Sequence, residues 1–128
     1  MEVLLCLLLA INAATSEIVD AEDDVKASMH RECNQLRAKY RKTKLQLDGK
    51  KCRLAQEWAA ELARTGNFRH GRHDQIIARG YRSTGSAFRG WMNSSGHRAW
   101  ILRSSNTSAG WGHAISKKGT HYWVGVFR

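Results

Sequence analysis

The sequence predicts an α/β/α sandwich, in which helices cover both faces of a small sheet. In residues 25–41 and 48–66, apolar side chains recur every three or four positions, which is typical of amphipathic helices. Near the C-terminus, β-branched and aromatic residues lie on both sides of the sequence SKKG, which predicts a hairpin. Both faces of these strands are apolar, so we expect the helices to cover both. A chain of 128 residues suits one domain with one core.

The first 16 residues are predicted to be a secretory signal peptide. An apolar run from Val3 to Ile11 is followed by small and polar residues, with a plausible cleavage site at Ala14–Ser16. The alternative is a core helix or a membrane anchor, but a bilayer span needs about 20 apolar residues. We therefore expect an exported protein without a membrane span. It would consist of a flexible acidic leader, residues 17–24, and a domain over residues 25–128.

Two cysteines, Cys33 and Cys52, remain once Cys6 leaves with the signal peptide. An even pair in an oxidising compartment predicts one disulfide, which would join the first helix to the start of the second. Such a bridge would add about 3 kcal/mol of stability. The alternative is two unpaired, partly buried thiols.

The first predicted helix has one apolar face, formed by Val25, Met29, Cys33, Leu36 and Tyr40. The second begins after Asp48 as N-cap and ends at Gly66. The segment DQIIARG is predicted to be a short helix that Asp74 caps and Gly80 ends. Residues 86–92 and 94–103 are predicted to form two further short helices, before the hairpin.

The charge of the chain is concentrated in the predicted domain. All 21 Lys and Arg but only five of the 11 acidic residues lie from Val25 onward, so this part carries a formal charge of +16. Anionic partners are favoured, and export favours glycans or lipids over nucleic acid, for which no specific motif is present. The predicted basic patch comprises Lys39, Arg41, Lys42, Lys44, Lys50 and Lys51. The alternative is a solvated basic surface with no dedicated partner.

Four sequence blocks occur in an order and spacing that resembles a known family: LRAKY, LAQEWAAELARTGNFRH, WMNSSGHRAWIL, and GWGHA with HYWVGVF. They are similar to the CAP domains (cysteine-rich secretory, antigen 5, pathogenesis-related 1; SCP-like), in particular to the shorter members common in bacteria. The resemblance covers about residues 30–128 and implies an α/β/α sandwich. It also implies a cleft in which two histidines and two glutamates cluster and, in some members, hold a divalent metal. His70 and His97 match the two histidines.

The chain departs from this family at the cleft. The expected Gly-Glu-Asn-Ile-like stretch is missing, because GYRS passes almost directly to TGSAFRGWM, which predicts a central deletion. The second glutamate is also missing, because the region about one helical turn before Trp91, where the family has it, holds Ser86, Ala87 and Phe88. With both carboxylates absent, His70 and His97 alone would make a weak site, since zinc usually has three or four ligands. No cofactor is therefore expected, and zinc or another divalent metal at these histidines is the alternative.

Catalysis is not expected. Ser94 and Ser95 lie next to His97 at a helix start, where they are more simply capping residues, and no G-x-S-x-G motif occurs. Asn93 and Asn106 each begin an N-glycosylation sequence, which predicts two glycan sites if the source is eukaryotic.

These observations predict a secreted, monomeric, non-catalytic protein with a degenerate cleft. We expect a binding or defence-type role with anionic glycans or lipids as ligands. One alternative is a divalent-metal-dependent function through His70 and His97. The other is a structural component of the extracellular matrix.

Overall fold

The computed structural model describes residues 24–128. The predicted signal peptide and all of the acidic leader except Asp24 lie outside this range. Helix α1 occupies residues 24–39 of the described chain. The elements that follow are β1 (Gln46–Leu47), α2 (Gly49–Thr65), β2 (Gln75–Arg79), α3 (Thr84–Met92), α4 (Ser95–Leu102), β3 (Ser108–Ile115) and β4 (His121–Phe127).

The four strands form one mixed sheet in the order β1-β3-β4-β2. Strands β3 and β4 are the predicted hairpin, and β2 pairs antiparallel with the other side of β4. The two-residue β1 runs parallel to β3 and pairs with its first two residues only. Within residues 24–128, no helix is both long and apolar enough to cross a membrane.

Helices cover both faces of this sheet, which confirms the α/β/α sandwich. Alternate strand residues such as Ile76 and Trp111 point into a core shared with α1, α3 and α4. Their neighbours, such as Ile77 and Val124, point into a second core shared with α2. This alternation follows from the two-residue period of a strand, which sends successive side chains to opposite faces.

Helix α2 lies very close to β3 because two strand residues facing it are glycines. A Cβ atom on Gly110 would lie 2.1 Å from the backbone carbon of Lys51, and one on Gly112 would lie 2.4 Å from that of Ala55. The ends of α2 are as predicted. The side chain of Asp48 accepts a hydrogen bond from the Lys51 amide, and Gly66 ends the helix with φ of 68°.

The segment DQIIARG is not the predicted helix, since Gln75–Arg79 form β2. Ile76 and Ile77 are both buried, one in each core, as expected for a strand covered on both faces. The pairing partner, β4, lies more than 40 residues away in the sequence, so no local periodicity reports it. Gly80, with φ of 93°, does end the element.

The predicted disulfide is also absent, because Cys33 and Cys52 are free, buried thiols. Cys33 lies on α1 in the core on one side of the sheet, whereas Cys52 lies on α2, which packs against the other side. The sheet between the two helices keeps the thiols apart. Burial raises the pKa of the Cys33 thiol to about 12, so it stays protonated at neutral pH.

Candidate functional site

The loop between α2 and β2 carries His70 and is anchored to both elements. The Trp58 indole on α2 donates a hydrogen bond to the carbonyl oxygen of Arg69 (3.1 Å). The Gly71 amide donates to Oε1 of Gln75 on β2 (2.8 Å). His70 lies between these two attachment points, with its side chain exposed.

His97 lies in the first turn of α4 and is partly buried. Burial lowers the pKa of its imidazole, and the charge of His70 lowers it further. This effect places His70 within electrostatic range of His97 and favours neutral His97. The shared site of the two histidines stays a prediction.

A groove of about 310 Å³ lies beside His97. Its wall includes two exposed aromatic rings, Phe68 (39 % exposed) and Tyr81 (38 % exposed). The buried Trp91 lines it from α3 and donates an indole hydrogen bond to the Ile77 carbonyl (3.0 Å). Polar groups come from His97, Ser94 and Arg79, whose guanidinium stacks on Phe68 at 4.9 Å. The groove can therefore hold a small ligand with one apolar face.

A larger groove of about 520 Å³ lies beside His70, between α2 and the anchored loop. Arg69, whose guanidinium stacks on Trp58 at 5.0 Å, lines it together with Arg72 and Gln75. A neighbouring groove of about 370 Å³ is also lined by Arg72 and adds the basic side chains Lys50 and Lys51. The two grooves share Leu54, Arg72 and His73 and thus form a continuous trough along α2, whose lining also includes the acids Glu57 and Asp74.

The predicted basic patch is divided between two layers of the fold. Lys50 and Lys51 belong to the α2 trough, whereas the basic residues of 39–44 lie at and just after the end of α1, on the other side of the sheet. There they are joined by two arginines of α4 and its C-terminal end. We call this surface the α1–α4 basic patch; it comprises Lys39, Arg41, Lys42, Arg98 and Arg103.

Several contacts hold the α1–α4 basic patch together. The Arg98 guanidinium stacks on the Tyr40 ring at 4.6 Å, and Lys39 Nζ lies 6.0 Å from the same ring. Lys42 Nζ donates a hydrogen bond to Ser104 Oγ (3.1 Å), next to Arg103. The sequence did not assign Arg98 and Arg103 to the patch, because only the packing of α4 beside the end of α1 brings them there.

The sequence pattern of the cysteine-rich secretory protein family, CAP, matches residues 30–127. The chain belongs to the CAP family. No curated protein matches it significantly, so the further comparison rests on structure.

Solved CAP structures share this fold at low sequence identity. An outer surface protein from Borrelia burgdorferi is 18 % identical with a TM-score of 0.72, over 79 % of this chain and 89 % of that one. An extracellular SCP-domain protein from Bacillus anthracis is 18 % identical with a TM-score of 0.66, over 84 % and 41 % of the two chains. The venom allergen-like protein 4 of Schistosoma mansoni is 12 % identical with a TM-score of 0.58, over 83 % and 86 %.

Strand β2 lies between the two histidine blocks of the CAP resemblance and begins with Gln75. Gln75 is 4 % exposed, and its Nε2 has no hydrogen-bond partner. The sequence contains no glutamate after Glu61, so this part of the chain supplies neither cleft glutamate of the family pattern. The central deletion expected from the sequence stays a prediction.

The cleft residues offer few ligands for a metal. Within residues 24–128, no three or more His, Cys, Asp or Glu side chains are grouped so that they could hold a metal ion. Glu57 lines the groove of His70 but is not part of such a group. His70 and His97 thus remain a pair of imidazoles, and this region does not complete a three-ligand site.

The two glycosylation sequences lie in different environments. Asn93, at the C-terminal end of α3, is exposed. Asn106 is 3 % exposed, and its Nδ2, the atom that would carry a glycan, donates a hydrogen bond to the Trp100 carbonyl (2.7 Å). A glycan cannot occupy a buried amide of this kind without local unfolding. The structure therefore disfavours use of Asn106, while Asn93 stays a prediction.

Proposed function

We propose that this CAP-domain protein is exported and binds an anionic glycan without catalysing a reaction, in a binding or defence-type role. The observation that carries the proposal is the α1–α4 basic patch. Two of its five cationic residues, Lys39 and Arg98, lie against the Tyr40 ring, which is 36 % exposed, and a third, Arg103, stacks on Trp100 at 4.5 Å. Residues 40–47 and 95–107, which supply most of this surface, contain no acid. A local excess of positive charge attracts and orients anionic polymers.

The chemistry of the patch suits sulfate or carboxylate groups on a sugar chain. Arginine presents a planar fork of donors that matches such anions in a bidentate manner. The exposed part of Tyr40 offers an aromatic edge beside these charges. On the other face of the sheet, the trough along α2 supplies Lys50, Arg69 and Arg72 as additional cations.

A glycan fits these surfaces better than a lipid bilayer does. A helix that lies in a membrane interface presents a continuous apolar face beside its basic residues. Here the α1–α4 basic patch has Tyr40 as its large exposed apolar residue. Leu47 and Ile115, which are 50 % and 54 % exposed, lie on β1 and at the end of β3 instead.

The experiment that tests this proposal is heparin affinity as a function of salt, with charge-neutralising variants. The Lys39→Gln/Arg41→Gln double variant removes two charges from the patch. The Lys117→Gln/Lys118→Gln variant is the matched control, because it removes two charges from the exposed hairpin turn. We expect about tenfold weaker binding for the patch variant at physiological salt, about 0.15 M, and a change below twofold for the control.

Equal losses in the two double variants would mean that only net charge matters, and the patch would then not be the site. Retention of the protein on phosphatidylserine vesicles but not on heparin would identify a lipid ligand instead. Phosphatidylcholine vesicles serve as the uncharged comparison.

A non-catalytic role is supported by the residues of the cleft. No glutamate follows Glu61 in the sequence, and Ser86 lies in the region of the second family glutamate. General acid-base hydrolysis of glycans usually depends on a pair of carboxylates. Ser94 precedes α4 as its N-cap residue, although its side chain makes no capping hydrogen bond.

The second candidate function is metal binding by His70 and His97. It is favoured by the lowered pKa of His97, to which the charge of His70 contributes, since the neutral imidazole is the ligand form. Calorimetric titration with Zn²⁺ tests it, beside the His70→Ala and His97→Ala variants. Micromolar binding abolished by either change would establish this function, and no heat above dilution would remove it.

A further inference from the structure

The β3–β4 hairpin carries a second pair of histidines, at a position that the proposed function does not use. Nε2 of His113 and Nδ1 of His121 are 2.8 Å apart, within hydrogen-bond distance. The ring centroids are 5.0 Å apart and the ring planes differ by 28°, so the two imidazoles meet edge to edge. Both residues are partly exposed, which leaves solvent access to the pair.

Neighbouring side chains hold this pair in place. Gln56 on α2 accepts a hydrogen bond from the His113 amide (3.0 Å) and donates one to its carbonyl (2.7 Å), which fixes the backbone of β3 at this residue. Trp123 lies directly opposite His113 on β4, with ring centroids 4.1 Å apart. The Trp123 indole is itself fixed by a hydrogen bond to the Tyr81 carbonyl (2.7 Å). Side chains supported in this way on paired strands suit a precise binding site.

We propose that His113 and His121 form a binding site for a divalent transition-metal ion, Cu²⁺ in particular. Imidazole nitrogens bind such ions at about 2.0 Å. Two ligands at right angles then stand about 2.8 Å apart, whereas two tetrahedral ligands stand about 3.3 Å apart. The observed 2.8 Å is a hydrogen-bond distance, and it shows that the two nitrogens can approach as closely as two ligands at right angles do. Square-planar sites of nitrogen and oxygen ligands are typical of Cu²⁺, which also binds such ligands most strongly among the divalent ions.

Metal binding needs only side-chain movement. The nitrogens now face each other, so each ring must rotate away from the line between them until both lone pairs converge on the ion. One of the two facing nitrogens carries the proton of the hydrogen bond and must lose it to bind the ion. The other nitrogen of the same ring takes up a proton in exchange, so both imidazoles stay neutral. Water would supply the remaining two ligands.

The lysines of the hairpin turn do not prevent this binding. Lys117 and Lys118 are exposed, and their charges are screened by solvent. They would weaken a site that held its ion by charge alone. Neutral imidazoles bind Cu²⁺ by coordination, which explains why the site favours this ion over a hard cation such as Mg²⁺.

Trp123 supplies a direct readout, because Cu²⁺ quenches the fluorescence of a nearby indole. We would titrate CuCl₂ into the full chain at pH 7.5 and record tryptophan emission. The His113→Gln and His121→Gln variants keep a polar side chain in the hairpin but remove an imidazole. We expect saturable quenching in the unchanged protein and at least tenfold weaker binding in both variants. The electron paramagnetic resonance spectrum of the bound Cu²⁺ should show hyperfine coupling to two imidazole nitrogens, one from each histidine.

The control variant is His73→Gln, which should change the affinity less than twofold, and the His70→Gln/His97→Gln protein reports whether the cleft histidines hold the ion instead. Circular dichroism at each step confirms that the variants remain folded. Unchanged affinity in His113→Gln and His121→Gln, or a loss confined to the His70→Gln/His97→Gln protein, would overturn the assignment. Absence of saturable quenching would overturn it as well. None of these results depends on heparin binding, so they do not test the glycan proposal, which the heparin experiment tests separately.

Discussion

At the scale of single residues, the hydrogen bonds of His30 show how a partly buried polar group depends on its protonation state. The Trp111 indole donates a hydrogen bond to His30 Nδ1 (3.0 Å), so this nitrogen must be unprotonated. Nε2 lies 3.1 Å from the Leu45 carbonyl and must carry the proton. The folded protein therefore needs a neutral ring. Burial lowers the pKa of His30 accordingly, and the charge of Lys44 lowers it further.

This requirement predicts a loss of stability in mild acid. Below the ordinary histidine pKa of 6.5, the unfolded chain binds a proton at His30 before the folded chain does. The free energy of unfolding should therefore fall as the pH drops through and below 6.5. Urea unfolding at pH 7.5 and pH 5 measures the change. The His30→Gln variant should show a smaller difference between the two pH values, and an equal difference would contradict this account.

The free thiols predict a distinct labelling pattern. Cys33 is fully buried and has a pKa of about 12, so iodoacetamide should not label it in the folded protein at pH 8. In denaturant without reductant, both Cys33 and Cys52 should be labelled, as peptide mass spectrometry would show. A peptide pair joined through these residues would instead support the disulfide expected from the sequence.

At the scale of elements, the contact between α2 and β3 depends on the absence of side chains on the strand. A Cβ at position 110 would meet the backbone of α2 rather than a flexible side chain, so the helix itself would have to move. We expect Gly110→Ala to lower the free energy of unfolding by about 1–3 kcal/mol, the usual cost of overpacking.

The matched control is Gly96→Ala on α4, where no atom lies within 4 Å of the added Cβ. Alanine favours helices over glycine, so this variant should be stabilised by up to about 1 kcal/mol. Guanidinium chloride unfolding of both variants provides the measurement. A Gly110→Ala protein as stable as the parent would show that α2 can shift without cost.

The helices and the hairpin were predictable from the sequence because their signals are local. Apolar spacing, Asp48 and Gly66 lie within the element that they define, and the predicted bounds of α2 match those observed. Strand β2 was not predictable in this way. Ile76 and Ile77 are buried because β2 pairs with β4 and because a helical layer covers each face of the sheet. These partners lie outside any short sequence window around β2, so the local pattern does not report them.

At the scale of the whole molecule, one buried arginine connects the layer of α1 to the end of α4. Arg37 is fully buried and donates hydrogen bonds to the carbonyls of Thr43 (2.7 Å), Ile101 (2.8 Å) and Arg103 (3.0 Å). The α1–α4 basic patch lies directly outside these contacts. The position of the patch therefore depends on a residue that does not itself reach solvent.

Replacing this arginine should be strongly destabilising. Arg37→Met keeps much of the volume but leaves three carbonyl oxygens without their donors, which we expect to cost about 3 kcal/mol or more. Arg98→Met removes a positive charge from the neighbouring α4 and loses mainly a cation–π contact, worth about 0.5–1 kcal/mol. Thermal unfolding of the two variants compares them. Similar losses would show that the buried hydrogen bonds add little.

The candidate surfaces were only partly predictable from the sequence. The family pattern identified His70 and His97, and the charge of His70 contributes to the lowered pKa of His97. The basic residues were recognised from composition, but the sheet separates Lys50 and Lys51 from those after α1. The pairing of His113 with His121 follows from the register of the hairpin, which the turn sequence alone does not determine.

The double hydrogen bond between Gln56 and the His113 backbone also bears on how molecules of this protein meet each other. Strand β1 covers only the first two residues of β3, so the rest of that strand would otherwise be an open edge. Open edges recruit strands from other molecules and promote aggregation. An amide side chain that already occupies both main-chain groups at the middle of this edge removes an anchoring point for such a strand. We expect Gln56→Ala to aggregate more readily than the parent at high concentration, as light scattering would report.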